Sequence, residues 1–371
     1  MSAIPTSPQD LQFLLEPFRQ KYDLPALAGA ILASRGLLAV GVAGVRKYGT
    51  ETPAAVNDQF HLGSNTKAMT ATLLAMLVEE GKLAWNSTLE QVFPDANSDM
   101  DPAYRRVTLE QLLAHRAGLS TRTWPKGKTF FGMHRLPGTP REQRRAYLRM
   151  ILAETPAYAP GEKFLYSSRS YVVAGAMAEQ AADDSWENLM RQRLFAPLGM
   201  DTASFGAMGT AGRIDQPRQH RLFWKWHKAI DPGRRADNPP VIGPAGTVHC
   251  SIVDWARFIQ AHLRGERGQS GILQPETFKR LHTPPCGGDY AFGWMAVTRP
   301  WAGGIALTHG GSNTMNFAVP WLAPAKDFAV LAMTNQGGRD AERACDQTAI
   351  AFIELILGRN RPGSDLTFHS R

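Results

Sequence analysis

Ser64 and Lys67 stand one helical turn apart in Gly63-Ser64-Asn65-Thr66-Lys67. The segment behind them, Ala68 to Val78, is apolar on almost every side and stops at Gly81. That pattern predicts a buried helix with a glycine just past its end. On such a helix Lys67 lies over the same face as Ser64. An amine held out of water there is placed to take a proton from the hydroxyl. The helix start also offers backbone N–H groups and positive partial charge where an oxyanion would form. Acyl transfer through a serine needs this combination.

Spacing alone leaves a plainer alternative open. With 17 serines and 11 lysines in 371 residues, chance supplies roughly 0.5 Ser-x-x-Lys pairs. A serine cap with Lys67 reaching out to solvent fits the same letters. This pair is the only one of its kind in the chain, however, and it opens an apolar helix rather than lying in a loop.

A Ser-Lys pair needs a third group to pass the proton to the leaving group. Tyr166 is the candidate, in a loop that runs from Pro160-Gly161 to Ser167-Ser168 just before a helix. A phenol beside an ammonium can act as a base; an ordinary half-buried loop tyrosine also fits the position. A further element is His309-Gly310-Gly311-Ser312, after the apolar run Ile305-Ala306-Leu307. Paired glycines at a strand end let backbone approach a ligand closely, and the Ser312 N–H could supply a second oxyanion donor.

The elements that must position these residues fall in a simple order. Leu11 to Tyr22 has helical spacing, and strands follow at Ala26 to Ala33 and Leu37 to Val45, joined by a tight turn at Ser34-Arg35-Gly36. From Trp85 to about Asp237 the signals are mostly helical, including a Thr108-capped helix ending before Gly118, Arg141 to Glu154, and Ser170 to Ala182. A helix opens at Ser251. Strand-like runs recur at Gly293 to Thr298, Gly304 to Thr308, Asn316 to Pro320 and Phe328 to Thr334, and Ala341 to Leu357 closes the chain as a helix before a polar, frayed tail. A sheet built from both chain ends and carrying a helical insertion fits this order.

Composition excludes several function classes. Hydrophobic residues make up 43% and charged residues 20%, which suits a globular protein with a full core. No apolar run reaches the length needed to span a bilayer, and no membrane partner is expected. The first ten residues lack a basic start and an apolar core, which favours a cytoplasmic location. The net charge of +8 reads as a diffuse surface property, so no nucleic-acid partner is expected. Its densest basic-aromatic stretch, Arg213 to Arg235 with Trp224, Lys225 and Trp226, reads as an irregular loop: either a lip over a cleft or a solvated surface. Cys250, Cys286 and Cys345 match no zinc spacing and read as reduced and structural. There is no Gly-x-Ser-x-Gly elbow, no His-Glu-x-x-His and no phosphate or dinucleotide loop, so neither metal nor cofactor is expected. His115 and His249 qualify as triad members by residue type alone.

Ser64-x-x-Lys67, the Pro160-Gly161 to Tyr166 segment and His309-x-Gly311 occur in the order and spacing of the serine beta-lactamase-like hydrolases. The chain resembles that family, which includes class C beta-lactamases, D,D-peptidases, D-aminopeptidases and related bacterial esterases. Thr108 to Leu119, Pro197-Leu198-Gly199-Met200 and Ala245-Gly246-Thr247 add to the resemblance, which covers about Leu24 to Leu357. It implies an α+β fold, with a mostly antiparallel sheet flanked by helices beside an all-helical domain and the site between them. The expected limits are 1–84 with 238–371 for the sheet domain and 85–237 for the helical one. Ser64, Lys67 and Tyr166 are then the expected catalytic residues, and Ser312, His309, Gly310, Gly311 and Ser168 the expected oxyanion and substrate-binding set.

Two departures bear on substrate. Ser168 stands where the family's lactamases and peptidases usually have asparagine, and His309 stands where class C lactamases have lysine. A histidine is expected to be cationic only near or below its usual value of about 6.5. Both changes reduce recognition of carboxylate-bearing amides, so the expected partner is a small ester or uncharged amide. Penicillin or D-alanyl peptide cleavage is the enzymatic alternative. A penicillin-binding or sensor module that is acylated without turnover is the alternative from another class.

Overall fold

Ala26–Ala33 is apolar at all of its positions, so it needs cover on both faces. The computed structural model, which describes residues 8–223 and 226–358, supplies it. Leu27, Ile31 and Ala33 join one buried cluster, while Ala26, Ala28, Ala30 and Leu32 join another on the opposite face. The tail after Gly358, the first seven residues and Trp224-Lys225 of the basic stretch lie outside the described residues.

The main sheet has eight strands. Its order is Gln9–Asp10, Gly36–Gly44, Ala26–Ala33, Phe328–Thr334, Phe317–Ala323, Gly304–Thr308 and Met295–Arg299, with Gly311–Ser312 also paired to Phe317–Ala323. Every pairing is antiparallel except that of the short first strand. Helices Gln12–Lys21 and Arg339–Ile356 cover one face, and Ile252–Glu266 packs on the other. Strands from both chain ends therefore meet in the middle of the sheet, where Ala26–Ala33 pairs with Phe328–Thr334.

The helix that follows Ser64, Thr66–Glu79, is buried from Thr66 through Leu77. It can be apolar all round because it is enclosed on several sides. It contacts Ser168–Ala182, Gly243–Gly246 and Pro275–His282. The core on its side of the sheet runs without a break into the helical part of the molecule through Leu112, Tyr147, Tyr171 and Trp186. Several helical elements begin at legible caps. Thr108 with Gln111 and Thr139 with Glu142 each form a capping box, and such a cap is worth about 1 kcal/mol.

Residues 204–230 depart from the expected helical and irregular stretch. Ser204–Phe205 pairs with Val248–Cys250, which also pairs with Phe60–His61. Gln219–Phe223 and Trp226–Ile230 form an antiparallel hairpin rather than a loop. The prolines and glycine that suggested a loop flank these strands and do not interrupt them. The hairpin is anchored from outside its own sequence, since the His220 N–H donates to the Asn335 carbonyl at the end of the main sheet. Cys250 and Cys345 are buried free thiols, as a structural role requires, but Cys286 is exposed.

Candidate active site

Ser64 lies in a 3-10 turn, Gly63–Asn65, that feeds directly into the Thr66–Glu79 helix. Gly63 has φ +52, and a Cβ placed on it would overlap the backbone nitrogen of Ser312. A Cβ on Gly311 would likewise overlap the Leu62 carbonyl oxygen. Two glycines thus let the Ser64 turn and the Gly311–Ser312 strand press backbone to backbone. Asn65 fastens the turn further, its side-chain amide donating to Leu62 O at 3.1 Å and Ala318 O at 3.0 Å. This contact sets the Ser312 backbone nitrogen against the turn that carries Ser64, the neighbourhood a two-donor oxyanion site needs.

Lys67 is completely buried. Its Nζ lies 3.0 Å from Ser64 Oγ and donates to the Ala245 carbonyl at 2.7 Å. The alternative in which Lys67 reaches solvent does not occur. Its Nζ therefore bridges the Ala245 carbonyl and the Ser64 hydroxyl. The Tyr166 ring centroid is 5.0 Å from Lys67 Nζ, and the Tyr171 centroid 5.8 Å. No direct hydrogen bond joins the Tyr166 hydroxyl to Ser64 or Lys67 among the described residues; such bonds tighten when substrate is seated. Ser168 opens the helix Ser168–Ala182 and is half-buried.

His309 differs from expectation. It is buried, its Nδ1 meets the Gly310 carbonyl at 2.8 Å, and its Nε2 meets the Tyr290 hydroxyl at 3.3 Å. Burial, reinforced by Lys67, pushes its pKa down to about 4. A cation near pH 6.5 is therefore not available at this strand, and the imidazole points its nitrogens at protein partners. Gly310 is exposed beside it and Gly311 is buried.

Several residues of this site carry no sequence signal that isolates them. His61 Nδ1 accepts the Gly63 N–H at 3.0 Å, so its Nε2 carries the hydrogen that meets Asp237 Oδ2 at 2.9 Å. The other Asp237 oxygen accepts from Asn313 at 2.9 Å, next to Ser312. This buried chain ties the Ser64 turn to the Ser312 strand through residues 176 and 76 positions apart. Such separations leave no periodic trace. Tyr290 and His115 form a second chain behind Tyr166. His249 lies in the strand Val248–Cys250 with its Nδ1 2.9 Å from the Gly206 carbonyl, and plays no part in the cluster around Ser64. No group of three or more His, Cys, Asp or Glu side chains among the described residues is arranged to hold a metal ion. No helix among them is long and apolar enough to cross a membrane.

Comparison with known proteins bears on the fold and the family. The family model described as Beta-lactamase matches residues 11–354. The chain is 23% identical over 375 residues to the Unguisins hydrolase ungD of Aspergillus violaceofuscus, covering 89% of this chain and 62% of that protein. It thus spans about three fifths of that relative's length. It is 24% identical over 344 residues to Penicillin-binding protein 4 of Amycolatopsis lactamdurans, covering 87% of this chain and 84% of that one. In three dimensions it is similar to EstCE1, a hydrolase with promiscuous acyltransferase activity, with a TM-score of 0.74 and 18% identity over 92% of this chain and 97% of that one. A match that takes in nearly the whole chain, over a sheet and helices arranged as described, shows that the protein belongs to the beta-lactamase family of hydrolases.

Proposed function

We propose that the chain is a serine hydrolase working through an acyl-enzyme at Ser64, most readily on small esters or uncharged amides. The observation that carries this reading is the buried Lys67 amine held 3.0 Å from Ser64 Oγ and 2.7 Å from the Ala245 carbonyl. Ser64 Oγ bonds to the substrate carbonyl carbon while its proton passes to Lys67 and Tyr166. The N–H groups of Ser64 and Ser312 hold the resulting oxyanion. Collapse breaks the bond to the leaving group, which takes the proton. Water then attacks the acyl carbon, gives up a proton along the same path, and Ser64 Oγ leaves with a proton restored.

Substrate charge follows from His309. With a pKa of about 4 it is neutral at ordinary pH and offers no cation to a substrate carboxylate. EstCE1, with its acyltransferase activity, is consistent with ester chemistry on this fold. The test is steady-state hydrolysis of a neutral nitrophenyl ester, a penicillin and a D-alanine amide by the same preparation. The ester should give the highest kcat/KM, and Ser64→Ala should remove its turnover. A preference for penicillin would overturn the substrate class and leave the Ser64 assignment standing. A product burst without turnover would point instead to an acylated sensor.

A further inference from the structure

His115 brackets Tyr166. Its carbonyl oxygen accepts the Leu165 N–H at 2.8 Å, and its ring Nδ1 accepts the Ser167 N–H at 3.2 Å. Those two amides flank Tyr166 on either side. The imidazole also packs against the phenol ring, with centroids 4.4 Å apart. His115 sits at φ 56, in the left-handed region, which is strained for a residue with a side chain. This strained residue follows the short helix Leu109–Leu113, and its carbonyl oxygen and ring Nδ1 serve one three-residue segment.

The ring is held in one tautomer. Because Nδ1 accepts from Ser167, Nε2 carries the hydrogen, and it meets the Tyr290 hydroxyl at 3.2 Å. Tyr290 in turn donates to His309 Nε2 at 3.3 Å, and His309 Nδ1–H donates to the Gly310 carbonyl at 2.8 Å. The Tyr290 hydroxyl also meets the Tyr171 hydroxyl, whose own hydrogen goes to the Leu113 carbonyl at 2.9 Å, so the Tyr290 hydrogen has two acceptors, Tyr171 and His309. Burial keeps the members of this chain neutral: His115 is pushed well below the usual histidine value, His309 to about 4, and the Tyr290 phenol well above its usual value. In dry surroundings an unmade bond in such a chain leaves a buried polar group unpaired, so the geometry is strongly specified.

We propose that His115 is a positioning residue for Tyr166, fixing it through the two backbone amides on either side, while Tyr290 and His309 hold the imidazole in the tautomer that does so. The proposal rests on Tyr166 acting in the proton path described above.

Asparagine is the discriminating replacement. Its amide oxygen falls near the place of Nδ1, and it tolerates positive φ. Glutamine reaches the place of Nε2 but cannot accept from Ser167. His115→Asn should keep most of the ester turnover. His115→Gln should lower kcat by about ten- to a hundredfold with KM within about twofold, as misplacement of a proton carrier does. Tyr290→Phe, which removes a single hydroxyl, should lower kcat several-fold. In a Tyr166→Phe background, His115→Gln should add less than about twofold, because what it displaces is already gone. Equal losses in the Asn and Gln variants, a fully active Tyr290→Phe, or additive effects of His115→Gln on an impaired Tyr166→Phe would each overturn the clamp alone. A fully active Tyr166→Phe would remove the proposed proton path and the clamp with it.

Discussion

At the scale of single residues, the chemistry turns on which buried groups carry charge. His309 is neutral above about pH 4 because burial disfavours the imidazolium and Lys67 repels it. The ratio of kcat/KM for an anionic ester to that for a neutral ester of equal size should therefore stay flat between pH 5.5 and 8. Lys67 and Tyr166 serve both substrates and cancel in the ratio. A ratio that rises on acidification, with an inflection near 6, would place a titrating cation at the substrate and contradict the buried assignment. The Ser64, Lys67 and Tyr166 cluster was legible because it combines residue type with helix spacing and motif order. The burial of His309 was not, since it depends on Tyr290, 19 residues away in the chain. The His61–Asp237–Asn313 chain was likewise invisible, being built from residues that share no element.

At the scale of elements, the decisive contact is the backbone meeting of the Ser64 turn and the Gly311–Ser312 strand. Two glycines separate local strain from that contact. Gly63 (φ +52) and Gly81 (φ +71) both occupy the left-handed region, but a Cβ on Gly63 meets Ser312 while nothing lies within 4 Å of one on Gly81. Gly81→Ala should cost about 1 kcal/mol of stability and leave ester hydrolysis intact. Gly63→Ala should bring a comparable strain and also abolish turnover by forcing the two oxyanion donors apart. Thermal denaturation and kcat measured on both variants check this; matching activity losses would show that the contact has no special role. Most helices and main-sheet strands were readable from periodicity and caps. The hairpin at Gln219–Phe223 and Trp226–Ile230 was not, because its support comes from Asn335 and Met315 across the fold rather than from its own alternation.

At the scale of the whole molecule, several buried histidines make stability depend on pH. Burial pushes both His220 and His249 down to about 4, against about 6.5 in an unfolded chain. Between those values the unfolded chain binds more protons than the native one. The contribution is therefore fully present above about 6.5 and is lost as pH falls toward 4. Between pH 7.5 and 5 the loss is on the order of 2 kcal/mol per histidine. The urea midpoint should drop accordingly, and His249→Gln should reduce the drop. A midpoint unchanged over this interval would mean these side chains are hydrated in the native state. The same enclosure that depresses the histidines buries Lys67, since one continuous core runs from the sheet through the Thr66–Glu79 helix into the helical part.

The proposed mechanism puts the acyl group on Ser64. The most direct measurement is the mass of the protein quenched in acid within the first turnovers on a nitrophenyl ester, followed by peptide mapping of the adduct. An added acyl mass is expected on the peptide containing Ser64, matched to the ester used and absent in Ser64→Ala. An adduct on another residue, or ester turnover by a folded Ser64→Ala at the wild-type rate, would contradict it.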